Sequence, residues 1–113
     1  MARGRLVVID SEILGDGPAD LGSKLMGSFL RKLCNEGTKP EVMLFYNGGV
    51  KLLAEGSHVL DALNVLSEAG VDLVACGTCC GYFGVTDKLA VGRIGDMEEV
   101  VRELMNTRTV VTV

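Results

Sequence analysis

Apolar residues fall in short blocks separated by polar, glycine-rich punctuation, and the period within the blocks alternates between that of strand and that of helix. Arg5-Leu6-Val7-Val8-Ile9-Asp10 is a β-branched run with little polar alternation, which predicts a central parallel strand covered on both faces. Ser11 to Asp20 carries Gly15, Gly17 and Pro18 and reads as a loop leading into a helix. Leu21, Leu25, Met26, Phe29, Leu30 and Leu33 then recur at helical spacing, predicting one inward stripe that ends at Asn35 and Gly37.

Val42-Met43-Leu44-Phe45-Tyr46 is a second strand, with Asn47-Gly48-Gly49 as the turn at its carboxyl end. Residues 50–55 suit a short helical turn broken by Gly56. Ser57 is placed to cap a helix carrying Val59, Leu60, Leu63, Leu66 and Ala69 and stopped by Gly70. Val71 to Ala75 reads as a third, buried strand, followed by a loop over 76–81 and a single helical turn at Tyr82-Phe83-Gly84-Val85. Leu89-Ala90-Val91-Gly92 is strand-like. Asp96 with Glu99 three residues on forms a capping box for a helix over Met97 to Met105, with Val100, Val101, Leu104 and Met105 facing inward, and Thr109 to Val113 closes the chain as a fifth strand. Strands alternating with helices predict one α/β domain over residues 1–113, a three-layer α/β/α arrangement with a mostly parallel five-stranded sheet.

Composition narrows the function classes. The 113 residues are 48% hydrophobic, enough for one continuous core. A net charge of -4 without a basic run speaks against nucleic acid as a partner, and aromatics at 4% leave little for base stacking. No apolar run approaches the roughly 18 residues of a membrane span or the core of a signal peptide, so the expected setting is the cytoplasm, with no membrane partner and reduced thiols.

The chemistry concentrates in Ala75-Cys76-Gly77-Thr78-Cys79-Cys80-Gly81, where three of the four cysteines occupy five positions directly after a strand. Strand ends in open α/β sheets border the crevice where ligands bind. A thiolate is favoured there by a helix N-terminus, nearby cations or oriented backbone amides. Lys51, Lys88 and Arg93 are the candidate cations, Gly77 and Gly81 free the loop backbone, and the N–H groups of Asn47, Gly48 and Gly49 are a candidate wall of the same crevice. Such a thiolate can attack sulfane sulfur and hold it as a persulfide, and Cys76 and Cys79 have a spacing that permits resolution through a disulfide. The same pair fits a dithiol oxidoreductase, and a further alternative is a non-enzymatic subunit that holds a metal or small anion in the crevice formed by Asn47 to Gly49 and the cysteine loop. A metal site built on Cys76, Cys79 and Cys80 lacks a fourth ligand with recognisable spacing, since only Cys34 and His58 remain, and no metal is expected. Cys34 reads as a small core residue and His58 as a surface residue.

Beyond these features, Leu14-Gly15-Asp16-Gly17, Asp20-Leu21-Gly22 with Leu25-Met26, Asn47-Gly48-Gly49-Val50-Lys51-Leu52, Glu55-Gly56-Ser57, Cys76-Gly77-Thr78-Cys79, Tyr82-Phe83-Gly84 and Asp87-Lys88-Leu89-Ala90-Val91-Gly92 resemble the DsrE-like domain of YedF-type proteins, within the DsrE/DsrF sulfur-relay superfamily. The resemblance runs nearly end to end. It implies a sulfurtransferase-like persulfide carrier linked to sulfur or selenium metabolism, working without a cofactor and assembling as a homo-oligomer. The implied substrate-binding residues are Asn47, Gly48, Gly49, Lys51, Gly77, Thr78 and Lys88. Cys79 is the expected nucleophile, being deeper in the loop and nearer the following turn, with Cys76 as alternate carrier or resolving thiol and Cys80 as accessory. YedF-type proteins carry a TusA-like domain with a Cys-Pro-x-Pro motif; nothing here matches it, so the implied sulfur donor is a TusA-like or other protein on a separate chain, and the acceptor is unspecified. Positions 80 and 81 are Cys-Gly where the family pattern has Leu-Asp, which adds a thiol and removes a charge from the loop.

Overall fold

The computed structural model describes residues 3–113, the side chains of Arg3 and Arg108 excepted. In chain order the elements are β1 (Arg3–Ile9), α1 (Ala19–Leu33), β2 (Val42–Phe45), a 3₁₀ helix (Asn47–Leu53), α2 (Leu60–Glu68), β3 (Asp72–Cys76), α3 (Gly77–Phe83), β4 (Arg93–Gly95), α4 (Met97–Asn106) and β5 (Thr107–Thr112). The five strands form one sheet in the order β4-β3-β2-β1-β5, and every neighbouring pair is parallel.

The pleat divides the strand residues between two cores, because successive side chains leave opposite faces. Val7, Ile9, Met43, Phe45, Leu73 and Ala75 face α1, the 3₁₀ helix, α2 and α3. Leu6, Val8, Val42, Leu44 and Val74 face α4, which contributes Val100. The result is the expected three-layer α/β/α domain, with α4 packed on the second core. Phe45, Leu63 and Leu66 are buried almost completely, and burial of such side chains contributes about 1.5–3 kcal/mol each. Among the described residues no helix is long and apolar enough to cross a membrane.

Several local expectations are corrected. The buried ridge of α1 is Gly22, Met26, Gly27 and Leu30, while Leu21 and Leu25 are exposed. A Cβ on Gly22 would stand 2.6 Å from the Cβ of Ile13, so the helix approaches the preceding loop on its glycines rather than on its leucines. Ser57 does not cap α2: its hydroxyl accepts from Val59 N–H in the turn before the helix, and Val59 occupies the cap position. Leu89 to Gly92 is not a strand. Leu89 makes an isolated bridge to Ala54, Gly92 turns at φ 83°, and pairing with β3 begins at Arg93. Asp96 caps α4 as expected, accepting from Glu99 N–H at 2.8 Å, but the inward residues are Val100 and, partly, Leu104; Val101 and Met105 are exposed.

Arg93 fastens the short edge strand. Its guanidinium donates to Asp72 through Nε at 3.0 Å and Nη2 at 2.9 Å, and to Glu99 through Nη1 at 3.1 Å and through Nη2. The two carboxylates, Glu99 ahead of Asp72, raise its pKa further above the range in which it could lose its proton.

Candidate functional site

There is no cysteine loop. β3 runs to Cys76 and α3 begins at Gly77, so Cys76 is the cap residue and Thr78, Cys79, Cys80 and Gly81 are helical. Gly77 is required by packing: a Cβ there would meet Ile94 Cγ2 at 3.1 Å. Gly81 does not interrupt the helix, which ends in a left-handed Gly84 at φ 69°. Helical placement separates the three thiols. Cys80 points into the main core with no exposure, Cys76 is 3% exposed, and Cys79 is half-buried. All four cysteines of the chain are free thiols. Cys34 is half-buried against the main core and its thiol donates to the carbonyls of Leu30 and Ala62, in keeping with a packing role.

Cys79 opens onto a cleft of about 680 Å³ at the carboxyl ends of β2 and β3, lined by Tyr46, Asn47, Thr78, Tyr82, Phe83, Met97, Val100 and Leu104. One wall is α3 and the other is α4. The backbone N–H of Asn47 donates to the Cys79 Sγ at 3.0 Å. Asn47 holds a left-handed φ of 51°, a conformation that Asn tolerates better than most residues. Tyr82 and Phe83 pack edge to face with ring centroids 5.1 Å apart.

The electrostatics differ from the expected activated thiolate. Burial pushes the Cys79 thiol up, the Asn47 N–H pulls it down, and the neighbouring Cys76 thiol pushes it up again; the net direction is upward. Burial likewise raises Cys80, with Cys76 and Cys79 adding to it. The expected cations are engaged elsewhere. Lys51 pairs with Glu12 at 3.3 Å and lies 4.3 Å over the Phe83 ring, and Phe83 in turn lines the thiol cleft. Arg93 is bound by Asp72 and Glu99. Lys88 is exposed, outside the lining of the cleft.

Lys51 instead lines a second cleft, of about 520 Å³, together with Glu12, Ser23, Ser57 and His58. The exposed His58 ring pairs with the Ser23 hydroxyl at 3.2 Å, consistent with a surface role. The expected amide wall reduces to Asn47. Gly49 is buried, its N–H donates to the Tyr46 carbonyl, and its Cα hydrogen position faces Ile9 O so closely that a Cβ would lie 2.3 Å away; Gly48 lies outside the cleft lining. Among the described residues no three of His, Cys, Asp or Glu come together as a metal site, so Cys76, Cys79 and Cys80 do not form one.

The site residues that sequence reasoning passed over are apolar. Tyr82 and Phe83 read as a helical turn, and Met97, Val100 and Leu104 read as one helix with a core face; their spacing of three and four marks one side of α4 without showing that this side borders a cleft.

No protein-family model matches the chain, and no curated protein matches it. Solved structures do. A protein of unknown function, MTH1491 from Methanobacterium thermoautotrophicum, superposes with a TM-score of 0.68 at 19% identity, covering 95% of this chain and 98% of that one. BT1422 from Bacteroides thetaiotaomicron, a conserved protein of unknown function, gives 0.67 at 18% identity over 96% and 94%. The ychN protein from E. coli gives 0.63 at 17% identity over the full length of both. At under 20% identity these likenesses show a shared α/β fold.

Proposed function

We propose that this chain is a sulfur-relay protein that accepts sulfane sulfur as a persulfide on Cys79 and passes it to an acceptor protein. The observation that carries the reading is the position of one thiol: Cys79 alone of the three clustered cysteines lines a cleft, with the Asn47 N–H on its sulfur. In the loading step the Cys79 thiolate attacks the outer sulfur of a donor persulfide. The Cys79 S–S bond forms, the donor S–S bond breaks, and the donor leaves as its thiolate. Delivery is the same displacement with an acceptor thiolate attacking the outer sulfur.

The Asn47 N–H opposes the burial that holds the thiol neutral, so the thiolate arises at reaction rather than at rest. Phe83, Met97, Val100 and Leu104 give the cleft beside the outer sulfur an apolar lining. The motif resemblance supports further parts of the proposal: YedF-type membership, a TusA-like or similar donor on a separate chain, selenium as a second cargo, a homo-oligomeric assembly and a cytoplasmic setting. Cys80, closed inside the core, has no part in transfer.

Cyanolysis of the reduced protein after treatment with inorganic polysulfide tests the reading. Thiocyanate should form at one equivalent per chain for the wild type and vanish for Cys79→Ser. Equal yields from the two proteins would refute it.

A further inference from the structure

The arrangement of Cys76 behind Cys79 goes beyond carriage. Cys76 and Cys79 are three residues apart at the start of α3, a spacing that sets side chains about 5–6 Å apart at Cβ and within a small adjustment of disulfide geometry. Cys76 stands near enough to Cys79 to push its thiol up. Cys79 lines the cleft and Cys76 does not. Cys76 is 3% exposed, so neither a donor nor an external thiol reaches it. Its accessible reaction partner is the neighbouring sulfur of Cys79. Displacement at sulfur is in line, so the outer sulfur leaves on the side opposite the attacking thiol, and Cys79 borders a cleft that can receive it.

Resting on the persulfide reading of Cys79, we infer that the chain has a second activity: Cys76 resolves the Cys79 persulfide, releasing sulfide and leaving a Cys76–Cys79 disulfide. The Cys76 sulfur attacks the inner sulfur of the persulfide. A new S–S bond forms between the two side chains, and the bond to the outer sulfur breaks. That outer sulfur departs as hydrosulfide, taking the proton of the Cys76 thiol. The sulfane sulfur is reduced to sulfide and the two thiols supply both electrons. Restoring the carrier requires an external dithiol, small or protein-borne, which is oxidised in turn. The chain thus delivers sulfane sulfur when an acceptor thiol attacks first and liberates sulfide when none does.

The test loads reduced wild type, Cys76→Ala, Cys76→Ser and Cys80→Ala with inorganic polysulfide, removes the excess, and follows intact mass and free sulfide together. Two substitutions at Cys76 guard against one that fails to fold, and Cys80→Ala reports whether the other buried thiol can substitute. The expected result is one sulfur on Cys79 in all four proteins. Wild type and Cys80→Ala then lose it with one equivalent of sulfide, end two hydrogens lighter than the reduced chain, and recover on addition of a small dithiol. Both Cys76 variants release sulfide ~100-fold more slowly, having lost the intramolecular thiol. If wild type holds its persulfide as long as the Cys76 variants, the resolving step is wrong and carriage stands. If sulfide release follows Cys80 instead of Cys76, the assignment is overturned. If no protein gains sulfur on Cys79, the carrier reading fails and takes this inference with it.

Discussion

The backbone N–H of Asn47, at the carboxyl end of β2, donates to the sulfur of Cys79, in the first turn of α3. This bond joins neighbouring parallel strands through their exits, and it depends on the left-handed backbone of Asn47, φ 51°. Asn47→Gly keeps the N–H and accepts that φ, so it should leave Cys79 reactivity and stability close to wild type. Asn47→Val should cost about 1–2 kcal/mol, since a β-branched residue resists the left-handed region, and should slow polysulfide loading as the amide turns off the sulfur. Urea denaturation and loading rates measured on both variants check this.

The pH dependence follows from the direction of the Cys79 shift. Burial disfavours the thiolate most, the Cys76 thiol adds to it, and the Asn47 N–H only partly offsets them. A raised thiol pKa keeps the neutral form at pH 7, so alkylation of Cys79 should accelerate with pH and reach half-maximum above the ordinary thiol range. Removing Cys76 takes away one of the raising influences. In Cys76→Ala the midpoint should move to lower pH, followed by iodoacetamide kinetics with peptide mapping. A midpoint unchanged or higher would show that Cys76 does not raise the Cys79 thiol.

Gly48 and Gly49 separate close packing from ligand binding. An alanine methyl at 49 would sit 2.3 Å from the Ile9 carbonyl, which the sheet cannot move, whereas the nearest atom to one at 48 is 3.9 Å away. Gly49→Ala should therefore destabilise by about 1–3 kcal/mol or more, and Gly48→Ala should stay within about 0.5 kcal/mol of wild type. Thermal unfolding of the pair distinguishes them.

Arg93 holds β4 and α4 through carboxylates that are themselves partly exposed. Arg93→Ala should cost about 1 kcal/mol, more than an isolated surface pair because the contact to Asp72 is bidentate. The loss should shrink as salt is raised, which denaturation at low and high ionic strength measures.

The sheet was legible because each inner strand is an apolar block that ends in polar or glycine residues: Leu6 to Ile9, Val42 to Phe45 and Leu73 to Ala75 all pair where the pattern put them. β4 was not, since Arg93-Ile94-Gly95 has no hydrophobic signature, and its place comes from Gly92 fitting against Leu73 and from the reach of Arg93 to Asp72. The leucines of α1 suggested the wrong ridge because its buried side approaches Ile13 on Gly22, and a glycine carries no hydrophobic signal. At the site, the cluster of cysteines was visible in the sequence. Which thiol reaches the cleft was settled by α3 starting at Gly77, a helix that two interior glycines conceal from propensity arguments. The contact from Asn47 spans 32 positions and leaves no local pattern at all.

The central claim, that Cys79 is the carrying thiol, is tested most directly by intact mass and peptide mapping immediately after brief exposure of the reduced protein to polysulfide, with Cys76→Ala, Cys79→Ser and Cys80→Ala alongside. The account predicts one added sulfur, mapped to Cys79, present in the Cys76 and Cys80 variants and absent from Cys79→Ser. Sulfur mapped to Cys76 or Cys80, or no addition until the protein is unfolded, would contradict it.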